Sequence, residues 1–141
     1  MIEIKKFLFA NKELMKKAHD IRHQVFVIGQ NCPAKLEWEF EEESTHFLVL
    51  QNNQPVATAR HRKTLTGYKL ERFAVLDNER GKGYGKIVLK AILNDLKDFN
   101  GVIYMHAQSE VLPFYQKMGF EKEGDEFKEA GIMHFKMTLN N

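Results

Sequence analysis

A glycine-rich turn constrains this 141-residue chain more than any other feature of its sequence. Residues 80–85 read Arg-Gly-Lys-Gly-Tyr-Gly; the apolar run 73–76 precedes them, and the amphipathic run 87–96 follows. This order predicts a strand, a tight turn and the start of a helix. The first N–H groups of a helix lack intrahelical partners and lie at the positive end of its dipole, so such a turn can hold a phosphate.

Two common nucleotide loops do not match this turn. A P-loop requires Ser or Thr after its Gly-Lys pair, whereas Ile87 follows Gly85-Lys86 here. A dinucleotide loop requires Gly-x-Gly-x-x-Gly at the start of a larger parallel sheet, whereas the spacing here is Gly-x-Gly-x-Gly and little chain follows. The turn therefore holds another kind of anion, or it is a turn without a ligand.

The composition is that of an ordinary globular protein, with 43% hydrophobic and 28% charged residues. We expect a single domain over residues 1–141. The net charge of +2 argues against a nucleic-acid binder built on the basic residues 60–63, and no apolar run approaches a membrane span. The single cysteine, Cys32, excludes an internal disulfide and a Cys-rich metal site. We expect no metal, a start without a secretory signal, and a reduced cytoplasmic setting.

The order of predicted elements indicates the fold class. Asn11 is the expected N-cap of a first helix, which ends at Gly29. Further helices are expected at 82–97 and from Ser109 to Gly119. Residues 34–44 are expected to form a loop or a short helix. Strands are predicted at 2–4, 45–51, 56–62, 68–76, 102–107, 120–124 and 131–139. Consecutive strands come before helices alternate with them, so this is an α/β (α+β) mixed sheet with flanking helices, not a doubly wound fold.

The glycine turn matches the Arg/Gln-x-x-Gly-x-Gly/Ala signature of the GNAT acetyltransferases, with Arg80, Gly83 and Gly85 in the signature positions. Residues 70–75, Leu-Glu-Arg-Phe-Ala-Val, resemble the central strand of that family. Residues 114–120, Phe-Tyr-Gln-Lys-Met-Gly-Phe, resemble its Phe-Tyr-x-x-x-Gly-Phe motif. The resemblance implies the GNAT acyl-CoA N-acyltransferase fold, with a central, mostly antiparallel sheet.

Four further segments resemble the ElaA-like branch of small bacterial GNAT proteins. They are residues 21–27, 30–33 (Gln-Asn-Cys-Pro), 45–48 and 131–134 (Gly-Ile-Met-His). Members of that branch usually carry a glutamate before the Gln of the Gln-x-x-Pro segment, where this chain has Gly29. The departure removes a carboxylate that is a candidate for the lining of the acceptor pocket, and so the identity of the acceptor stays open.

The resemblance implies acetyl-CoA as the donor and a primary amine of a small molecule or peptide as the acceptor. The pyrophosphate would lie on the backbone of the turn, and the amides of the pantetheine arm would pair with the main chain of the central strand. The residues assigned to the donor site are Phe73, Ala74, Val75, Arg80, Gly81, Lys82, Gly83, Tyr84, Gly85 and Lys86. The side chains of Arg80 and Lys82 either add charge there or are solvated surface groups.

The resemblance also implies that Tyr115 protonates the leaving thiolate; the alternative is that its ring serves only in packing. Glu71 is the first candidate for the base, on the expectation that it shares a strand face with Phe73 and Val75. The alternative is that Glu71 pairs with Arg60 or Arg72 and takes no part in the chemistry. The alternative bases are His61, His106 and His134, because histidine titrates near neutrality. A covalent route through Cys32 has no evident activating group.

The acceptor pocket is expected to contain Arg22, Arg60, Arg72 and His134. The three arginines either recognise an anionic group on the acceptor or neutralise the acidic segment 37–43, which Trp38 and Phe40 interrupt. The competing hypothesis is a regulatory module that binds acyl-CoA without turnover. An edge strand near the C terminus is expected to allow pairing between two subunits, and so a homodimer.

Overall fold

The structure, a computed structural model, describes residues 1–30 and 38–139. Strand β1 (Ile2–Leu8) leads into helix α1 (Lys12–Arg22), which a π-helical turn, His23–Ile28, continues. Asn11 is the N-cap of α1, as predicted, because its side-chain oxygen accepts a hydrogen bond of 3.1 Å from the Leu14 N–H. The first helix therefore begins at the residue that its capping chemistry indicates.

A three-stranded antiparallel meander follows, formed by the strands predicted at 45–51, 56–62 and 68–76. Its strands are β2 (Ser44–Gln51), β3 (Gln54–Lys63) and β4 (Gly67–Val75), and β1 pairs with β2 at its edge. Asn52 and Asn53 have φ angles of 50° and 67° in the turn between β2 and β3. Asparagine tolerates this left-handed conformation, so the turn residues agree with the local geometry.

The second half of the chain alternates helices and strands. Its elements are α2 (Tyr84–Asp95), β5 (Val102–Gln108), α3 (Leu112–Lys117), β6 (Phe120–Glu129) and β7 (Ile132–Leu139). In the described residues the strands form one sheet in the order β1-β2-β3-β4-β5-β7-β6. Strands β4 and β5 run parallel and the other neighbours antiparallel, which confirms the mixed, mostly antiparallel sheet. None of the helices in these residues is long and apolar enough to cross a membrane.

Two apolar clusters cover the two faces of the sheet. The larger one packs β2–β5 and β7 against α2 and α3, and the smaller one packs β1, β2 and β4 against α1. In β5, Ile103, Met105 and Ala107 belong to the larger cluster. The residues that alternate with them, His106 among them, therefore face the side of the sheet on which α1 lies.

Strand β4 contains a β-bulge at its centre. Two of its residues, Arg72 and Phe73, stand opposite one residue of β3, Ala59, and Arg72 has a φ of 60°. An extra residue reverses the in-and-out alternation of a strand beyond it. The expectation that Glu71 shares a face with Phe73 and Val75 is therefore wrong. Phe73 and Val75 pack against the larger cluster, whereas Glu71 lies on the α1 side of the sheet.

Candidate active site

The parallel strands β4 and β5 separate before they end. Their pairing joins residues 67–70 to residues 102–105, and in the described chain it goes no further. Strand β4 continues along β3 as far as Val75, and β5 continues along β7 as far as Gln108. An opening therefore forms between two strands whose main-chain groups can pair with an extended ligand.

A cavity of about 340 Å³ lies at the carboxyl end of β4, where the glycine turn leads into α2. Its lining residues are Val75, Glu79, Arg80, Gly81, Gly83, Tyr84, Gly85, Lys86 and Phe114. Seven of these are among the ten residues that the sequence assigns to the donor site. The structure adds two residues, Glu79 and Phe114. The only signal for Glu79 in the sequence is its position three residues before Lys82, and Phe114 is the first residue of the Phe-Tyr-x-x-x-Gly-Phe motif.

The backbone of the turn takes the form that an anion site needs. Gly81 and Gly83 have φ angles of 81° and 86°, a left-handed conformation that favours glycine. No atom of the described residues lies within 4 Å of the place where a Cβ on either residue would stand. The Ile87 N–H donates the first helical hydrogen bond to the Gly83 carbonyl at 3.1 Å. The preceding N–H groups lie at the positive end of α2, beside open space.

The two basic side chains of the turn both contact acidic neighbours. A guanidinium nitrogen of Arg80 lies 3.6 Å from a carboxylate oxygen of Asp77, and the Lys82 ammonium donates to Glu79 at 3.0 Å. The hydrogen bond and the charge of Glu79 raise the pKa of Lys82. Both cations are more than half exposed, so these pairs contribute little to stability. Both side chains are therefore accessible from solvent beside the turn.

Tyr115 lies in α3 among aromatic rings. Its ring makes edge-to-face contacts with Phe73, Phe114 and Phe120 at centroid distances of 5.8, 5.1 and 6.3 Å. Burial raises the pKa of the Tyr115 phenol, so the hydroxyl keeps its proton at neutral pH. Contact with Phe73 places the ring next to β4, where the two strands separate.

Glu71 is bound by three cations on the α1 side of the sheet. Its carboxylate accepts hydrogen bonds from the Nε of Arg60 at 3.1 Å and the Nε of Arg62 at 2.8 Å, and Lys69 lies 3.2 Å away. Burial alone would raise the pKa of Glu71, but the hydrogen bond from Arg62 and the charge of Arg60 lower it to about 2. These contacts favour the structural interpretation of Glu71, because such a carboxylate is a weak base.

Glu41 occupies the arginines that the sequence assigns to the acceptor pocket. One of its oxygens lies 2.8 Å from Arg22 and 2.5 Å from Arg60, and the other contacts His19. Burial opposes ionisation of this carboxyl, but these partners bring its pKa down to about 2. Trp38 packs on His19 and Arg22, with its ring centroid 4.4 Å from that of His19. Arg22 and Arg60 thus neutralise the acidic segment, the second of their two predicted roles.

The three candidate histidine bases lie on different sides of the sheet. His61 packs against Phe47 of the larger cluster and hydrogen-bonds Asp95 of α2 at 2.8 Å; burial lowers its pKa. His106 and His134 lie on the opposite face, in contact with Glu129 at the end of β6. The structure therefore separates His61 from the other two.

Gly29 closes the π-helical turn, where its N–H donates to the Gln24 carbonyl at 2.9 Å. A Cβ here would lie 2.6 Å from the Val25 carbonyl oxygen, so a glutamate could enter only if this backbone shifted. Gln30 then joins the end of β5 through two hydrogen bonds of 3.1 Å with Gln108. The predictions that concern residues 31–37, Cys32 included, lie outside the described residues.

The fold and this site define a transferase of the GNAT type, and comparison with known proteins gives the same class. The family model of the acetyltransferase (GNAT) domain matches residues 11–141. The uncharacterized N-acetyltransferase YjcF of Bacillus subtilis (strain 168) is 40% identical over 139 residues, which are 95% of this chain and 98% of YjcF. The chain therefore belongs to the GNAT acetyltransferase family.

Solved structures agree with this assignment. The crystal structure of Escherichia coli ElaA matches with a TM-score of 0.88 and 25% identity, covering 99% of this chain and 100% of ElaA. A GNAT family acetyltransferase from Elizabethkingia anophelis with acetyl-CoA bound matches with a TM-score of 0.75 and 15% identity, covering 99% and 98%. The second likeness extends to the fold alone. The prediction of an ElaA-like GNAT protein is confirmed.

Proposed function

We propose that this chain is an N-acetyltransferase that moves an acetyl group from acetyl-CoA to a primary amine of a small molecule or peptide. The observation that carries the proposal is the left-handed glycine turn, which faces open space at the start of α2 beside the separated strands. The Elizabethkingia neighbour with acetyl-CoA and an aminoglycoside 6'-N-acetyltransferase complexed with coenzyme A support this choice of donor.

The donor site is built from main-chain groups. The N–H groups at the start of α2, from Tyr84 to Lys86, hold the pyrophosphate, and Arg80 and Lys82 add positive charge outside the turn. The main chain of Ala74 and Val75 pairs with the pantetheine amides, as an additional strand in the opening between β4 and β5. The Ala74 and Val75 side chains stay in the apolar clusters and take no part.

Direct attack of the amine requires a proton acceptor, support for the carbonyl oxygen and a proton for the thiolate. Tyr115 donates that proton, since burial keeps its phenol protonated and its ring touches β4. A backbone N–H near Val75 supports the oxygen. Glu71 neutralises buried cations of the sheet and is not the proton acceptor, because three cations already contact its carboxylate.

The Tyr115→Phe variant tests the proposal. We expect it to lower kcat by about 100-fold or more, while the Kd for acetyl-CoA in calorimetry stays within about twofold, since only the donated proton is lost. Turnover is measured as CoA release with a panel of polyamines, amino sugars, amino acids and peptides. Tyr68→Phe is the matched control: Tyr68 packs in the same cluster, against Phe99, away from the cavity, and we expect its loss of a hydroxyl to leave kcat unchanged.

Two results would count against the proposal. A wild-type protein that binds acetyl-CoA and releases no CoA with any amine of the panel supports the binding module without turnover. Equal losses of affinity and turnover in Tyr115→Phe, or no loss of either, contradict the role of Tyr115 as the proton donor.

A further inference from the structure

His106 stands where β4 and β5 separate. The parallel pairing ends at Met105, so His106 is the first residue of β5 beyond it. Its neighbours Met105 and Ala107 belong to the larger apolar cluster, which directs the imidazole to the opposite face. On that face the side chain is 27% exposed. It therefore borders the opening from the side that the larger cluster leaves free.

Glu129 fixes the tautomer of His106. The Nδ1 of His106 lies 3.1 Å from the Oε1 of Glu129, and an ionised carboxylate only accepts hydrogen bonds. The His106 hydrogen bond holds the pKa of Glu129 below its usual range, so the carboxylate stays ionised. Nδ1 therefore carries the proton of the neutral ring, and the lone pair is on Nε2.

A second imidazole, His134, lies near the same carboxylate. Its Nδ1–H donates to the Ile132 carbonyl at 2.7 Å, and its Nε2 lies 3.8 Å from the Oε2 of Glu129. Phe127 packs against both rings, edge to face with His106 at 5.0 Å and stacked on His134 at 5.9 Å. The His106 ring is thus oriented by Glu129 and Phe127 of β6.

The His106 side chain is partly exposed to solvent on this face. Tyr104, two residues earlier on β5, lines a cavity of about 850 Å³ together with Lys69. The Tyr104 ring centroid is 6.2 Å from that of His106, which is not itself among the residues that line this cavity. Glu71 lies on the same face, but Arg60, Arg62 and Lys69 occupy its oxygens. His106 offers this face a lone pair.

We propose that His106, oriented by Glu129, is the general base that deprotonates the acceptor amine. The inference rests on the proposed function and adds a catalytic residue to it. Nε2 takes one proton from the substrate ammonium, directly or through one water, and the amine then attacks the thioester carbon. The C–N bond forms and the C–S bond breaks; Tyr115 protonates the thiolate and regains its proton from the nitrogen. His106, partly exposed, releases its proton to solvent.

The test uses the full chain and the amine of the panel that gives the fastest CoA release. We expect His106→Ala to lower kcat by about 100-fold or more and to leave the Kd for acetyl-CoA unchanged. Added imidazole should restore turnover, and substituted imidazoles should restore it faster as their basicity rises. A merely structural histidine would not produce this dependence, because proton transfer is the step that responds to basicity.

Two further variants complete the design. Glu129→Gln keeps an acceptor for Nδ1–H and so preserves the orientation of the ring in part, and we expect a smaller loss of kcat than in His106→Ala. His23→Ala removes an exposed imidazole from the π-helical turn and should leave both kcat and the response to imidazole unchanged. If His106→Ala does not fold, His106→Gln takes its place. A His106→Gln protein that keeps the wild-type Tm but has lost turnover supports the role of His106 as the general base.

The outcomes distinguish the two proposals. A folded His106→Ala protein with kcat within about twofold of wild type overturns the role of His106 as the general base. It leaves the proposed function standing. Rescue that does not depend on the basicity of the imidazole also overturns that role. A wild-type protein that releases no CoA with any amine overturns the proposed function, and with it the role of His106 as the general base.

Discussion

Gly83 is restricted by its conformation and not by crowding. Its φ of 86° disfavours any residue with a Cβ, yet in the described structure nothing lies within 4 Å of where that Cβ would stand. A packing requirement would give the opposite combination, a close neighbour at an ordinary φ, as at Gly29. Open space beside a strained backbone fits a position that a ligand approaches.

The Gly83→Ala variant separates strain from ligand contact. We expect it to lose about 1 kcal/mol of unfolding free energy from the left-handed φ and at least about tenfold in acetyl-CoA affinity. Gly124→Ala is the matched control, because Gly124 in β6 has the same φ of 86° and equally open surroundings among the described residues. Urea unfolding and calorimetry should show similar stability losses and an affinity loss in Gly83→Ala alone. If the Gly83→Ala and Gly124→Ala proteins bind acetyl-CoA with equal affinity, the donor site does not lie at this turn.

Glu71 illustrates how little a residue type reveals about a role. A glutamate on the central strand of a transferase suggests a base, and the chain supplies one at the expected place. Its contacts with Arg60, Arg62 and Lys69 instead make it a structural anion of low pKa. Two of these three partners lie on β3, so the strand pairing decides its role.

At the scale of elements, the bulge of β4 shapes the site. Arg72 takes the αL conformation there, at a φ of 60°, two residues after Leu70, the last residue of β4 that pairs with β5. Without the extra residue, Glu71 would share a face with Phe73. One irregular residue thus sets which side chains meet the opening and which meet α1.

Replacing Arg72 by glycine or alanine measures the backbone strain of the bulge. Both variants remove the same charged side chain and its interactions, so their difference reports the conformation. We expect Arg72→Gly to be more stable than Arg72→Ala by about 1 kcal/mol, because alanine keeps the left-handed penalty. Chemical denaturation measures the difference. Equal stabilities, or a more stable alanine variant, would mean that the φ at this residue is not strained.

The elements of the meander and α1 follow from local signals. Asn11 caps α1 through its own side chain, and Asn52 and Asn53 form the turn that returns β2 onto β3. Capping and turn formation involve residues only a few positions apart, so sequence spacing is sufficient to predict them. The π-helical continuation of α1 has no such local signature, and the sequence reads simply as one helix.

At the scale of the whole molecule, buried charge ties α1, the acidic segment at Glu41 and the central strands of the sheet together. Glu41 binds Arg22 of α1 and Arg60 of β3, and Arg60 also binds Glu71 of β4. Each of these four side chains is at most 7% exposed. Removal of one partner would leave an uncompensated charge in the interior, which costs far more than a surface pair.

This arrangement predicts the response of stability to acid. Glu41 and Glu71 have folded pKa values of about 2, below those of the unfolded chain, so the stability they add above about pH 5 is lost as the pH falls towards 2. Burial lowers the pKa of His46 to about 4, so the unfolded state takes up its proton first and stability already falls from about pH 7. Urea midpoints between pH 7 and pH 3 should decline throughout.

Glu71→Gln supplies the check on the acid response. It should cost about 3 kcal/mol or more of unfolding free energy at pH 7 and flatten the decline below pH 5. Glu3→Gln is the control, because Glu3 forms only an exposed pair with Lys5 on β1. This variant should change neither the urea midpoint at pH 7 nor its dependence on pH. A Glu71→Gln protein that follows the wild-type curve would contradict the buried network.

The sequence by itself determined the elements, the mixed sheet and the glycine turn, since periodicity, caps and turn residues act over a few positions. It also predicted most of the residues that line the cavity at that turn. Only the tertiary structure decided that Glu71 faces α1, that Glu41 occupies Arg22, and that Glu129 meets His106. These contacts join segments far apart in the chain, and one bulged residue or one distant carboxylate redirects them, so no local pattern encodes them.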